Sequence, residues 1–365
     1  MNEYPMYTDV RLVGEVKDGC GPYSFLNSLP FHEAPGKIQV GFVFRCAFFG
    51  DPMNKHGLFE TNEDGYHGGT LSDEISALSS LILGARVRAG DCSRTFGVIG
   101  NDPMGSPRSS LNTLPTLSRR NVNFVVPSIA SSWRDLKDLS AIKSILELRP
   151  AQTISLMRAA RLYQDSLWIA ESEPELAWLM LVAALESGAL SWHQKDQTPV
   201  ELLKAVKGDF SIELEKHGAD VLNLVASEIA QLFQSTSKFI NFCSYFLPEA
   251  PAGRPPQFWQ INWTKKNWKQ IFNKIYGYRS RALHQGLPFP RPMCEPPERY
   301  GDDSFPCEKG TSGLAVRTLG SSWHADALPV SLNTFVQLTR EILLAWWKRM
   351  AADNINAESS TSSAG

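Results

Sequence analysis

The chain has 365 residues, 43% hydrophobic and 20% charged, with a formal charge of −2. That is the profile of a globular protein large enough for two ordinary domains, and it excludes a chain that is basic throughout. The most apolar run, 176–185, is too short to cross a bilayer, and residues 1–5 carry neither a basic nor an apolar leader. A cytoplasmic protein with no membrane partner is expected.

Cys20, Cys46, Cys92, Cys243, Cys294 and Cys307 are scattered without CxxC spacing. Reduced thiols are therefore expected, with no structural metal.

Residues 1–145 read as an α+β domain containing strands. The stretch 38–49, bounded by Gly36 and Gly50, is rich in β-branched and aromatic residues. It predicts a strand, with weaker strand signals at 10–16, 85–88, 94–99 and 122–126. Ser72 can cap a helix in which Ile75, Leu78, Leu81 and Ile82 recur at helical spacing, and Gly84 sits at its C-terminal cap. Residues 101–115 hold three prolines and read as a loop.

From 146 to 353 the pattern is helical. Helices are predicted at 150–170, 174–190, a short one from Pro199, 219–246, 263–285 and 332–352. A Pro-rich connector occupies 248–256. Residues 287–329 are too many for a simple turn and form either an ordered insertion or a flap. The Ser/Ala-rich tail, 354–365, reads as disordered.

Chemistry concentrates in 271–286, where Arg279-Ser280 is followed by His284 and Gly286 near the end of a helix. This Arg-Ser-x-x-x-His-x-Gly pattern resembles the signature of the HEPN superfamily, and its Apea-like branch in particular. The upstream segment 175–186, which ends in Ala-Leu-Glu, is similar to a helix of that branch. More faintly, 71–90 resembles domains that precede such modules. The resemblance covers about 150–350 and implies an all-α helical bundle acting as a metal-independent endoribonuclease, without cofactor. It also implies a homodimer whose paired motifs line one cleft, and a toxin-like or antiviral defence role.

The two residue types suit that chemistry. Without a metal, RNA cleavage uses the ribose 2′-hydroxyl as nucleophile. It then needs a proton carrier active near neutral pH and a fixed positive charge beside the phosphate. Histidine supplies the first and the planar guanidinium the second. Arg279 and His284 are the expected catalytic pair, with Ser280 and Glu186 in support. Many active members carry Asn, Asp or His after the arginine, so Ser280 is a departure. A five-residue offset also sets Arg279 and His284 about 140° apart around one helix. They meet one phosphate only if the helix end frays or a second subunit contributes.

The same helix carries Lys265, Lys266, Lys269, Lys274, Arg279 and Arg281 and no acidic residue from 263 to 284. Such a basic stripe attracts phosphate backbones, and the interleaved Tyr278 is a candidate base-stacking platform. Trp263 and Trp268 read as core. A non-catalytic RNA-binding module or a dimerising helical scaffold are the other functions compatible with these residues.

Elsewhere, His324 sits within the insertion. His32, Glu33, His56 and His67 would bind a metal only if the fold gathered them. The glycines at 65–69 lack a P-loop lysine.

Overall fold

A computed structural model describes residues 1–28, 36–47, 61, 63, 65–97, 103–109, 113–130, 133–192, 198–301 and 305–362. The chain is mixed α and β, with most strands in its N-terminal part and long helices in its C-terminal part. It divides into two compact units, Met1–Ala184 with Leu343–Gly365, and Leu185–Ile342. The divisions fall inside helices rather than at the change of pattern near 145.

The first unit contains β1 (Asn2–Thr8), β2 (Arg11–Val13), β3 (Tyr23–Asn27), β4 (Gln39–Cys46), α1 (Leu71–Leu83), β5 (Val87–Ala89), β6 (Arg94–Thr95), β7 (Ser106–Pro107), α2 (Pro127–Ala130), β8 (Trp133–Asp135), α3 (Pro150–Ile169) and most of α4 (Pro174–Ser191). An antiparallel sheet runs β3-β4-β1-β6-β7, with β5 also on β1. The strand expected at 38–49 is β4. That expected at 10–16 shrinks to β2, paired in parallel with β8.

β1 lies in the middle of this sheet although it contains Pro5, a residue normally confined to edges. The sheet accommodates it because the second neighbour of β1 is interrupted. β6 pairs with Asn2 and Glu3, β5 pairs with Met6 to Thr8, and the Pro5 carbonyl accepts from Gly90 N in the gap between them. On an antiparallel strand the N–H and C=O of one residue point the same way, so the donor that proline lacks would have faced that gap.

Residues 122–126 are not a strand. The amides of Val125 and Val126 donate instead to the Glu171 carboxylate, at 2.7 and 3.2 Å. The other partner of Glu171 is Arg86, which is fully buried. Arg86 donates Nη2 to Glu171 at 2.8 Å, Nη1 to Asp9 at 2.6 Å and Nε to the Leu167 carbonyl at 2.7 Å. Two buried carboxylates and one buried guanidinium thus tie together the end of β1, the start of β5 and the end of α3. Gln164 of α3 adds bonds to Ser76 Oγ (2.8 Å) and Val87 O (2.6 Å). These contacts explain why α3, expected to open the helical domain, belongs with the strands.

α1 starts at Thr70 rather than Ser72: the Thr70 hydroxyl accepts from Asp73 N and the Asp73 carboxylate accepts from Thr70 N, with Gly84 as the left-handed C-cap. Ahead of it, the backbone of Tyr66 and His67 is held by α3, through Arg158 to Tyr66 O (2.6 Å) and Arg161 to His67 O. His67 Nε2 lies 3.0 Å from Glu74 Oε1. Burial, and the charge of Asp73 next to it, push Glu74 up to about 7, whereas burial and the charges of Arg161 and Arg158 push His67 down. In both partners burial is the largest cause, and it disfavours the charged form.

The native Glu74 keeps its proton to about pH 7, whereas the unfolded chain loses it near its ordinary value. Its stabilising contribution is full at acid pH and is lost as pH rises to about 7. Glu74→Gln is therefore expected to gain stability relative to wild type between pH 5 and pH 7.5 in urea unfolding. A constant difference would mean that Glu74 titrates normally.

The C-terminal tail is not disordered throughout. α9 (Leu332–Ser362) continues past the expected end at 352, because Asn354 is buried and donates to Glu147 O and Gln152 Oε1, both at 2.7 Å.

The second unit holds the end of α4, then α5 (Pro199–Val206), α6 (Gly208–Glu215), α7 (Ala219–Tyr245), α8 (Lys265–Gln285), a hairpin of β9 (Ala315–Thr318) and β10 (Ser321–His324), and the start of α9. Where α7 and α8 pack, the buried Phe239 ring meets those of Phe272 and Tyr276 at 6.2 and 5.2 Å. Gly188 lets α4 approach α7: a Cβ there would stand 2.6 Å from the Phe242 ring.

The hairpin corrects the expectation of an all-α second part. Its turn, Leu319-Gly320, has both residues at positive φ (51° and 75°), the geometry for which Asn-Gly is the usual signal. The 287–329 segment is an ordered insertion over its described residues. Glu308, 6% exposed, accepts from Arg254 Nε and Nη2 (2.7 Å each) and from Ile261 N (2.6 Å), fastening the insertion to the connector before α8.

Candidate functional site

α8 begins at Thr264, whose hydroxyl accepts from Asn267 N, and ends at Gly286 in the left-handed region, φ 65°. Those two caps fix which residues share its surface. Trp268, Ile271, Phe272, Ile275, Tyr276 and Tyr278 are buried, and the opposite side is open.

His284 is exposed in the last turn. Among the described residues none hydrogen-bonds or ion-pairs with it. Its nearest neighbours along the helix surface are Ser280, one turn back, and Arg281, three residues back.

Arg279 is on the other side. It donates Nη2 to Glu186 Oε2 of α4 at 2.9 Å, with side-chain exposures of 25% and 18%, and its guanidinium lies over the Tyr276 ring at 5.5 Å. Tyr276 also hydrogen-bonds Glu186, and Thr236 of α7 bonds Tyr276. Burial first, then the Glu186 charge, push the phenol up to about 12. Glu186 therefore fixes Arg279 through an ion pair and Tyr276 through a neutral hydrogen bond.

The basic residues fall into two groups. Lys265, Lys266 and Lys269 are exposed and, among the described residues, form no ion pair or hydrogen bond. Lys274 donates to the Asp326 carbonyl, and Arg281 lies 4.6 Å over the Tyr278 ring. Tyr278 does not serve as a stacking platform. It is 7% exposed, its hydroxyl donates to Ala327 O at 2.5 Å, and its ring lies edge-on to Phe289 at 5.9 Å. The sequence could not reveal this, because the group that covers Tyr278 comes from the insertion.

Trp268 is buried, and Trp263 donates its indole N–H to Pro248 O at 2.9 Å beneath Arg254. Trp268 is core, as expected, whereas Trp263 is only half-buried. His324 is exposed at the end of β10, where Nδ1 accepts from Asp326 N at 3.4 Å.

All six cysteines are free. Among the described residues no three His, Cys, Asp or Glu side chains gather as metal ligands. His32, Glu33 and His56 lie outside the described residues. No helix among the described residues is long and apolar enough to cross a membrane.

Comparison with protein-family models, with curated proteins and with solved structures gives no match.

Proposed function

We propose that the chain is an endoribonuclease of HEPN type that cleaves RNA through the ribose 2′-hydroxyl. The observation that carries this reading is α8 itself. It is a helix without acidic residues that holds His284 exposed, in line with Lys266 and Lys269, all of them without hydrogen bond or ion pair among the described residues. His284 moves protons between the 2′-hydroxyl, the leaving 5′-oxygen and water. Arg279, held by Glu186, supplies positive charge to the phosphate, and Ser280 donates to a phosphate oxygen.

Because Arg279 and His284 project to different sides of α8, one site takes Arg279 from one subunit and His284 from another. Homodimerisation through this part of the chain is thus part of the proposal. The cellular role, restrained toxin-like or antiviral RNA cleavage in the cytoplasm, follows from the resemblance alone.

One observation favours a second reading. A carboxylate 2.9 Å from Arg279 already balances its charge, as in a purely packing role. α8 would then be a non-catalytic RNA-binding surface.

The test is incubation of the purified protein with mixed RNAs in EDTA. The expected products end in 2′,3′-cyclic phosphate and 5′-hydroxyl, and a 2′-deoxyribose at the scissile position blocks the cut. Efficient DNA cleavage, or activity lost on chelation, would move the chemistry to a metal-dependent class.

A further inference from the structure

α8 keeps one strip of its surface open from end to end. At about 100° per residue, Lys266, Lys269, Asn273, Gly277, Ser280 and His284 fall within an arc of about 80°. All are exposed except Ser280, which is half-buried. No carboxylate on α8 interrupts the strip. A second copy of the same strip would bring lysines against lysines, so its complement is a polyanion.

Gly277 is the feature that packing does not explain. Its backbone is not in the left-handed region, and a Cβ built on it meets nothing within 4 Å. A glycine inside a helix weakens it relative to alanine, yet neither backbone nor neighbours call for one. What it does is leave bare main chain halfway between the lysines and His284, where another chain can approach closely.

We infer that one RNA strand lies lengthwise along this strip. Its phosphates rest on Lys266 and Lys269, its backbone crosses Gly277, and the phosphate to be cut sits at Ser280 and His284. This placement rests on the nuclease reading for the role of His284 but not for the track itself. Eighteen residues of helix rise about 27 Å, and a stacked strand advances about 3.4 Å per nucleotide. The substrate is therefore single-stranded RNA extending roughly eight nucleotides to one side of the cut. A duplex fits worse, because each of its backbones coils away from a straight strip.

The test measures fluorescence anisotropy of the full-length protein with uncleavable 2′-O-methyl oligonucleotides of graded length, and with a duplex. Affinity is expected to rise steeply up to about eight nucleotides and then level off. Lys266→Gln with Lys269→Gln should lower the salt slope for a 12-mer by about 1.4 and leave a 4-mer almost unchanged. Gly277→Leu should raise the thermal midpoint, since leucine favours helix and the space is open, yet weaken 12-mer binding about tenfold. A merely structural glycine could not give those opposite signs. Length-independent affinity, tighter binding of the duplex, or wild-type 12-mer affinity in Gly277→Leu would each overturn the track. Length-dependent binding with no cleavage of any RNA would instead leave the track standing and remove the nuclease.

Discussion

Replacing Arg86 by methionine is expected to cost about 3–5 kcal/mol of stability, because it strands the buried Asp9 and Glu171 carboxylates without their cation. Arg86 is fully buried and bonded to both. Methionine fills most of the volume, so the loss reports the uncompensated charges rather than a cavity. Domains of ordinary stability have about 5–15 kcal/mol in total, so the variant should unfold at far lower urea and accumulate poorly in cells. Glu171→Gln should be milder, since an amide oxygen still accepts from Val125 or Val126. If Arg86→Met unfolds within about 1 kcal/mol of wild type, the two carboxylates do not depend on Arg86 for their burial.

His284→Ala should lower the cleavage rate by about 10²- to 10⁴-fold, the usual worth of one positioned proton carrier, with RNA affinity and folding unchanged. The exposed imidazole makes no hydrogen bond or ion pair among the described residues, so a structural explanation for that loss would find little support. Arg279→Ala should lose a similar factor, but it also leaves Glu186 without its ion pair. The cleaner test uses both variants together. If Arg279 of one subunit serves His284 of another, mixing the two inactive proteins should restore about a quarter of wild-type activity through mixed dimers. Recovery of nothing, with mixed dimers confirmed by sedimentation, would reject the shared site. Full activity in His284→Ala would reject the nuclease.

How much of this was legible in the sequence varies by element. α8 was plain, since its apolar spacing, lack of acids and terminal glycine all agree. β4 was equally plain. β1 was hidden by Pro5, a residue that argues against a central strand unless the neighbouring strand is known to be broken. The hairpin was hidden by Leu319, whose left-handed backbone no local rule anticipates. Val125 and Val126 carried a strand signal, but a carboxylate 45 residues or so along the chain took their amides. Arg86 stood only within a weak strand signal, because nothing in 85–88 announces two acids waiting after β1 and after α3. In the candidate site, Arg279, His284 and Glu186 could all be proposed from local pattern. The loss of Tyr278 as a platform could not, because Ala327 and Phe289 cover it from the insertion.

The order in which the chain is made bears on the first unit. That unit is assembled from residues 1–184 together with 343–365, and its last helix brings buried Trp346, Trp347 and Asn354. Chains emerge from the ribosome N-terminus first, at about 5–20 residues per second. The strands and α3 are thus synthesised long before α9, and through that interval their apolar surface lacks its final cover while 185–342 is still being added. The first unit is the first to emerge and the last to be complete, so a chain halted before 343 leaves that part unfinished.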